Sequence, residues 1–170
     1  DLKEYAVNGV ITLKARWMPK RTISVSIETQ EYTYDGIEKA FEIIGTTLAG
    51  FNVTYRQNGH TVEAPVNAGS YDVTVTREED AVFQAVNVTV PGGLVIQPKE
   101  VTVTIDAIPE QTYTGNVIKP AITVSDGTNE IPASEYTVDY TNNSNAGTAT
   151  VTVTAKAGGN YIFPQITQNF

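Results

Sequence analysis

Cysteine is absent from all 170 residues of this chain, and that absence closes several routes at once. No disulfide, thiol nucleophile or thiolate metal ligand is available. Small extracellular domains often lean on disulfides, so any small domain here must stand on packing alone. Basic residues are scarce. Eleven Lys and Arg face 19 Asp and Glu, for a formal net charge of −8 and a pI near 4.6. Phosphate binding needs clustered cations, so nucleic acid is not an expected partner. Electrostatic docking to anionic membranes is disfavoured for the same reason. The acidity reads as a solubility device. No apolar run approaches the ~18 residues of a membrane span. No signal peptide opens the chain, and Asp1-Leu2-Lys3-Glu4-Tyr5 reads as the middle of something longer. Histidine occurs once, at His60, beside Asn58-Gly59 and without a Ser or Cys partner. That makes it a solvated turn residue rather than a general base. Neither G-x-S-x-G nor H-E-x-x-H spacing occurs, and no catalytic residue is expected.

What the chain does have is repetition. Asn67-Ala68-Gly69-Ser70-Tyr71-Asp72-Val73-Thr74-Val75 recurs 78 residues later as Asn145-Ala146-Gly147-Thr148-Ala149-Thr150-Val151-Thr152-Val153. Ile23, Val25 and Ile27 recur at the same offset as Val101, Val103 and Ile105. Tyr34-Asp35-Gly36 recurs one residue later still, as Tyr113-Thr114-Gly115. A period this long is a whole small domain, not a solenoid unit. The expected organisation is a closing strand and linker over 1–19, one module over 20–98 and a second over 99–170. Pro19-Lys20 and Pro98-Lys99 mark where the two modules begin. So short a junction allows restricted, semi-rigid hinging rather than free tumbling. A monomer is expected.

The local pattern is strand throughout. Ile23, Val25 and Ile27 alternate with Ser24, Ser26 and Glu28. Phe51, Val53 and Tyr55 alternate with Asn52, Thr54 and Arg56, and Tyr136, Val138 and Tyr140 with Thr137, Asp139 and Thr141. A period of two puts one set against a core and the other in water. The Thr-rich outer set suits a pleated antiparallel surface. Asn58-Gly59 predicts a type I′ hairpin turn, and Ser125-Asp126-Gly127 is read the same way. Asn67-Ala68-Gly69 and Asn145-Ala146-Gly147 each precede an alternating strand, where Gly69 and Gly147 supply a special backbone angle. Gly36 and Gly115 punctuate the matching Tyr-x-Gly turns. The predicted class is all-β, with two tandem small sandwiches. A β-grasp-like mixed sheet is the alternative for the first.

At this point the motifs resemble known repeats. Tyr34-Asp35-Gly36, the Asn67–Val75 phrase and a closing Leu94-Val95-Ile96 resemble the bacterial surface repeats called MBG or YDG-type domains. Tyr113-Thr114-Gly115, Ile118-Lys119-Pro120, Tyr136–Asn143, Asn145–Ala149 and Gly159-Asn160-Tyr161 look like the bacterial Ig-like repeat. Asn8–Trp17 is similar to the closing strand of a Listeria–Bacteroides repeat, the internalin B-repeat type. There are departures. Position 149 is Ala where the first repeat has Tyr71, and the first repeat lacks a clean Gly-Asn-Tyr, with Phe83-Gln84-Ala85 in that region. The resemblance implies extracellular, non-catalytic segments of large bacterial cell-surface proteins, adhesins or secreted hydrolases among them. It implies no defined ligand.

Binding candidates follow from residue type. Alternation turns Tyr55, Tyr136 and Tyr140 inward, leaving Tyr32, Tyr34, Tyr113 and Tyr161 to meet a sugar, divided between the two modules. Tyr34, Tyr113 and Tyr161 are the candidates carried forward, with host glycan, mucin or matrix protein as partners of the whole surface protein. Asp126, Asn129 and Glu130, and Glu78, Glu79 and Asp80, offer oxygens that suit Ca²⁺. An acidic turn is the preferred reading of both, so neither metal nor cofactor is expected. Lys39, Lys119, Asn67 and Asn145 recur in both repeats. Some Gram-positive surface β domains weld such a Lys to an Asn, but a Lys bordering a turn and an Asn capping one are the preferred reading.

Overall fold

The computed structural model describes residues 18–170 in full. Before them it describes the backbone of β1 (Glu4–Val7) and β2 (Val10–Leu13), which pair antiparallel. The remainder of the strand expected over Asn8–Trp17 lies outside the described residues. Among the described residues there is no α-helix, only a 3-10 turn at Ala133–Glu135. The class is all-β, built from several small sheets, as the alternation and turn signals predict.

The first repeat carries one five-stranded sheet. Its strands are β3 (Gln30–Thr33), β4 (Asn52–Gln57), β5 (His60–Val62), β6 (Gly69–Arg77) and β7 (Val86–Gln97), in the order β3-β7-β6-β4-β5. β3 runs parallel to the end of β7, and every other pair is antiparallel. The one parallel pair makes the sheet mixed, within an all-β, sandwich-like class. Tyr71, Val73 and Val75 of β6 are fully buried, while Asp72 points the other way and its carboxylate accepts the Gly92 N–H at 2.9 Å. The inward face packs on Phe41, Tyr55, Leu94 and Ile96, with Ile27, Ile43, Phe51 and Val53 around it. Ile23, Val25 and Ile27 are half-buried and Ser24, Ser26 and Glu28 exposed, as alternation predicts. Yet that segment forms no strand. Only single bridges tether it, Arg21 to Phe83 and Ser26 to Ile44, so it is extended chain covering the core without a ladder.

The second repeat holds β8 (Lys99–Glu100), β9 (Thr104–Ile105), β10 (Val124–Ser125), β11 (Tyr136–Thr141), β12 (Thr150–Ala155), β13 (Tyr161–Ile162) and β14 (Ile166–Asn169). Its main sheet, β11-β12-β14, repeats the central order β4-β6-β7 of the first. Two-stranded pairs β9-β10 and β8-β13 flank it. Its buried residues, Val103, Val124, Ile131, Tyr136, Val153 and Phe163, form a cluster separate from that of the first repeat. Residues 109–112, at the place of β3, are not in a strand. In the first repeat β3 is held by Leu94–Gln97, and the residue at the place of Leu94 is here Phe170, paired through both backbone bonds with Ala149.

The turns divide. Asn58 and Gly59 have φ of 51 and 81°, the positive pair of a type I′ turn, between β4 and β5. The Asp126-Gly127 turn is different. Among the described residues the only non-glycines at positive φ are Asn58 and Asn142, so Asp126-Gly127 is not the positive pair of a type I′ turn, although the chain does reverse there, with Ser125 bridging Glu130 antiparallel. Its carboxylate instead accepts the N–H groups of Thr128 and Asn129, making a four-residue turn closed by Asp126 N–H to Asn129 O. Aspartate stabilises turns this way as readily as by its own backbone angle.

Candidate functional site

The two repeats meet around one asparagine. Asn160, in the Gly159-Asn160-Tyr161 loop, is only 9% exposed, yet all its polar groups are satisfied. Its N–H donates to Glu135 Oε2 at 2.6 Å and its carbonyl accepts the Lys99 N–H at 2.8 Å. Its side-chain oxygen accepts the N–H of Ala68 at 2.7 Å, and its Nδ2 donates to Asn67 Oδ1 at 3.1 Å and Glu135 Oε1 at 3.0 Å. Tyr34 and Tyr161 stack edge to face beside it, ring centres 5.4 Å apart. A buried carboxamide is tolerated only when its donors and acceptors are matched. Here they are matched by both repeats, so the junction closes around a polar clasp. Burial, with Tyr161, Glu135 and Asp35 nearby, raises the pKa of Tyr34 above its ordinary value of 10.0.

The backbone around the clasp is repeated. Gly69 and Gly147 have φ of 149 and 141°, and Gly36 and Gly115 share a φ of 78°. At Gly69 and Gly147 the chain must turn from the Asn-Ala step into β6 and β12, at an angle that β-branched residues avoid. Tyr71 is 1% exposed, and its hydroxyl donates to the Asn67 carbonyl at 2.6 Å, which pins the residue that meets Asn160.

Of the tyrosines carried forward, Tyr34 and Tyr161 were expected to stay divided between the repeats. The structure brings them together, because β8 at the junction pairs directly with β13, placing the Tyr161 loop against the first repeat. They face each other rather than forming an open platform. Tyr113 stands apart at 54% exposure. It lies on the rim of a cavity of about 380 Å³ that also involves Asn143, Asn145, Gly147, Ala149 and Phe170. The cavity lies between residues 110–113 and 145–149, where the first repeat runs Val95–Gln97 of β7. The Asn160 clasp was not anticipated from the sequence. Its signal was an Asn between Gly and Tyr where the first repeat has Val82.

The remaining candidates are engaged locally. Lys39 pairs with Asp35 at 2.6 Å, and that hydrogen bond lowers the Asp35 pKa. Asp80 is lowered to about 2 by the Arg77 guanidinium and by the N–H groups of Phe83 and Val82. Asp126 is lowered by the N–H groups of Asn129 and Thr128. Among the described residues no group of three or more His, Cys, Asp or Glu is arranged to hold a metal ion. His60 opens β5 opposite Gln57 and is exposed. Among them, too, no helix is long and apolar enough to cross a membrane.

Residues 23–100 match the family model of the MBG domain. That match supports the MBG resemblance of the first repeat, a cell-surface repeat type rather than a known enzymatic family. Comparison with curated proteins and with solved structures returned no match.

Proposed function

We propose that this chain is a non-enzymatic spacer segment of a bacterial cell-surface protein, in which stacked β modules hold a distal domain away from the wall. The modules are those expected over 20–98 and 99–170, the second of the bacterial Ig-like kind, after the last strand of an internalin-type repeat over 1–19. The whole protein works outside the cell. The observation that carries the reading is the Asn160 clasp: a buried side chain spent on holding two repeats in one orientation is of use to a stalk. The MBG match over 23–100 adds the surface setting.

A sugar-binding role is the competing reading, and Tyr113, exposed near Asn143 and Asn145, is what favours it. A glycan and mucin array probed at micromolar protein separates the two. The spacer reading expects no saturable binding. Saturable binding that is lost in Tyr113→Ala would move the chain to the lectin class.

A further inference from the structure

The surface that receives the clasp is itself repeated. On the first repeat it consists of Tyr34, Asn67 and Ala68, and the second repeat covers it. Asn67 and Ala68 take up the Asn160 carboxamide, and Tyr34 takes the Tyr161 ring. The sequence repeat puts Tyr113, Asn145 and Ala146 at the same places on the second repeat. The backbone agrees, since Gly36 and Gly115, and Gly69 and Gly147, share their angles pair by pair. The difference is in burial. Tyr34 and Ala68 are half-buried, while Tyr113 and Ala146 are exposed. Among the described residues the Asn145 side chain makes no hydrogen bond. Asn67 and Asn145 are both exposed, so the contrast lies in the tyrosine and the alanine, and in the Asn160 carboxamide that Asn67 meets and Asn145 does not.

We infer that the Tyr113–Asn145–Ala146 face of the second repeat is a docking surface for the Asn-Tyr loop of a further β module of the same kind. The chemistry required of the partner can be read from the filled face. It must present a carboxamide pre-oriented by a glutamate, as Glu135 orients Asn160, followed by an aromatic ring. The carboxamide oxygen takes the Ala146 N–H, its NH₂ meets the Asn145 side-chain oxygen, and the ring packs on Tyr113. The first repeat's own loop does not fit this description. It has Val82 at the place of Asn160, so a module of the second kind, not the first, is the partner. The inference rests on the spacer reading and gives it a joint that can be propagated.

The test is a lengthened chain in which residues 95–170 are repeated once directly after Phe170. Phe170 stands at the place of Leu94, so the copied Val95-Ile96-Gln97 enters beside Gly147 in the register that Ile96 keeps with Gly69. Amide exchange by NMR reads the Ala146 N–H. Docking raises its protection at least about tenfold over the 170-residue chain, toward that of Ala68. Asn145→Ala in the lengthened chain, or Asn160→Ala in the appended repeat alone, returns it to the exposed level. In both variants small-angle scattering then loses the fixed angle of the last repeat. The same Asn145→Ala in the 170-residue chain leaves Tm unchanged, which separates a lost joint from a lost fold. The inference is overturned if Ala146 gains no protection, if the last repeat docks with both variants unaffected, if the 170-residue chain dimerises through Tyr113, or if a sugar saturates this face. A freely tumbling last repeat without sugar binding removes the joint and leaves the spacer. Sugar binding removes the spacer as well.

Discussion

The Val82-Phe83 loop and the Asn160-Tyr161 loop occupy the same place in the two repeats. The Arg21 N–H donates to the Val82 carbonyl at 2.7 Å, as the Lys99 N–H donates to the Asn160 carbonyl at 2.8 Å. Arg21 bridges Phe83 in parallel, as Lys99 pairs with Tyr161. The backbone hydrogen bond is the same and the side chain is not. Val82 is 50% exposed, and its apolar side chain can neither donate nor accept. Asn160 is buried and meets both repeats. The scaffold is repeated, and what the scaffold offers a neighbour is set by one residue in a loop.

The largest effect is expected at Tyr71, whose counterpart is Ala149. Removing a buried aromatic costs roughly 3–5 kcal/mol, so Tyr71→Ala should lower stability by that order in urea titration. It also frees the Asn67 carbonyl that the hydroxyl holds. A loss under about 1 kcal/mol would mean the ring is not structural.

Glycine substitution sharpens the next difference. At Gly147 an added Cβ meets nothing within 4 Å, so Gly147→Val isolates the backbone strain, of order 1–3 kcal/mol. At Gly69 the added carbon also runs into the Gln57 side chain, so Gly69→Val should cost more than Gly147→Val in thermal unfolding. A smaller cost at Gly69 than at Gly147 would contradict the geometry, and an equal one would mean that the end of the Gln57 side chain swings aside freely.

At the clasp, Asn160→Ala strands the Asn67 and Glu135 oxygens in a half-buried site, at about 1–3 kcal/mol. The signature is loss of a single orientation between the repeats in scattering, while each core remains. Val82→Asn, at an exposed position, should change stability by less than about 0.5 kcal/mol.

The smallest expected effects follow pH. Asp35, Asp80 and Asp126 have pKa values depressed from 3.8, Asp80 to about 2. A group depressed on folding contributes stability above its unfolded pKa and loses it as pH falls through the folded one. Acid unfolding should therefore steepen below about pH 3.8 and run on toward 2, more shallowly in Asp80→Asn. Tyr34 is raised instead, so its contribution is complete below pH 10.0 and is lost above it. Exchange at the Ala68 amide should rise in that alkaline range before the cores unfold. Simultaneous loss would show that the clasp has no separate titration.

Much of this was legible in the sequence, for reasons particular residues make plain. Alternation turned Phe51, Val53 and Tyr55 to one side because a strand has no other period, and Tyr55 is buried as that requires. Asn58-Gly59 announced its turn because few dipeptides accept two positive φ angles. The parallel pairing of β3 with β7 was not legible, since alternation says which face a residue takes and nothing about its neighbour. Tyr136 and Val138 share a side, yet Tyr136 is 8% and Val138 37% exposed, because Tyr136 packs into the cluster of Val103, Val124, Ile131, Val153 and Phe163 and Val138 does not. The clasp was hidden for a similar reason. Asn160, Asn67 and Glu135 are far apart in sequence, and only the pairing of β8 with β13 brings them together.

That parallel pairing at the edge of the first repeat has a mechanical meaning. β3 enters the sheet near the start of the repeat and β7 leaves it at Gln97, side by side and pointing the same way. A pull along the chain would slide the two strands past each other rather than peel them apart. Sliding loads every hydrogen bond of the ladder together, so the repeat should resist stretching until the whole edge gives way in one step. A hairpin at the same edge would unzip bond by bond at far lower force.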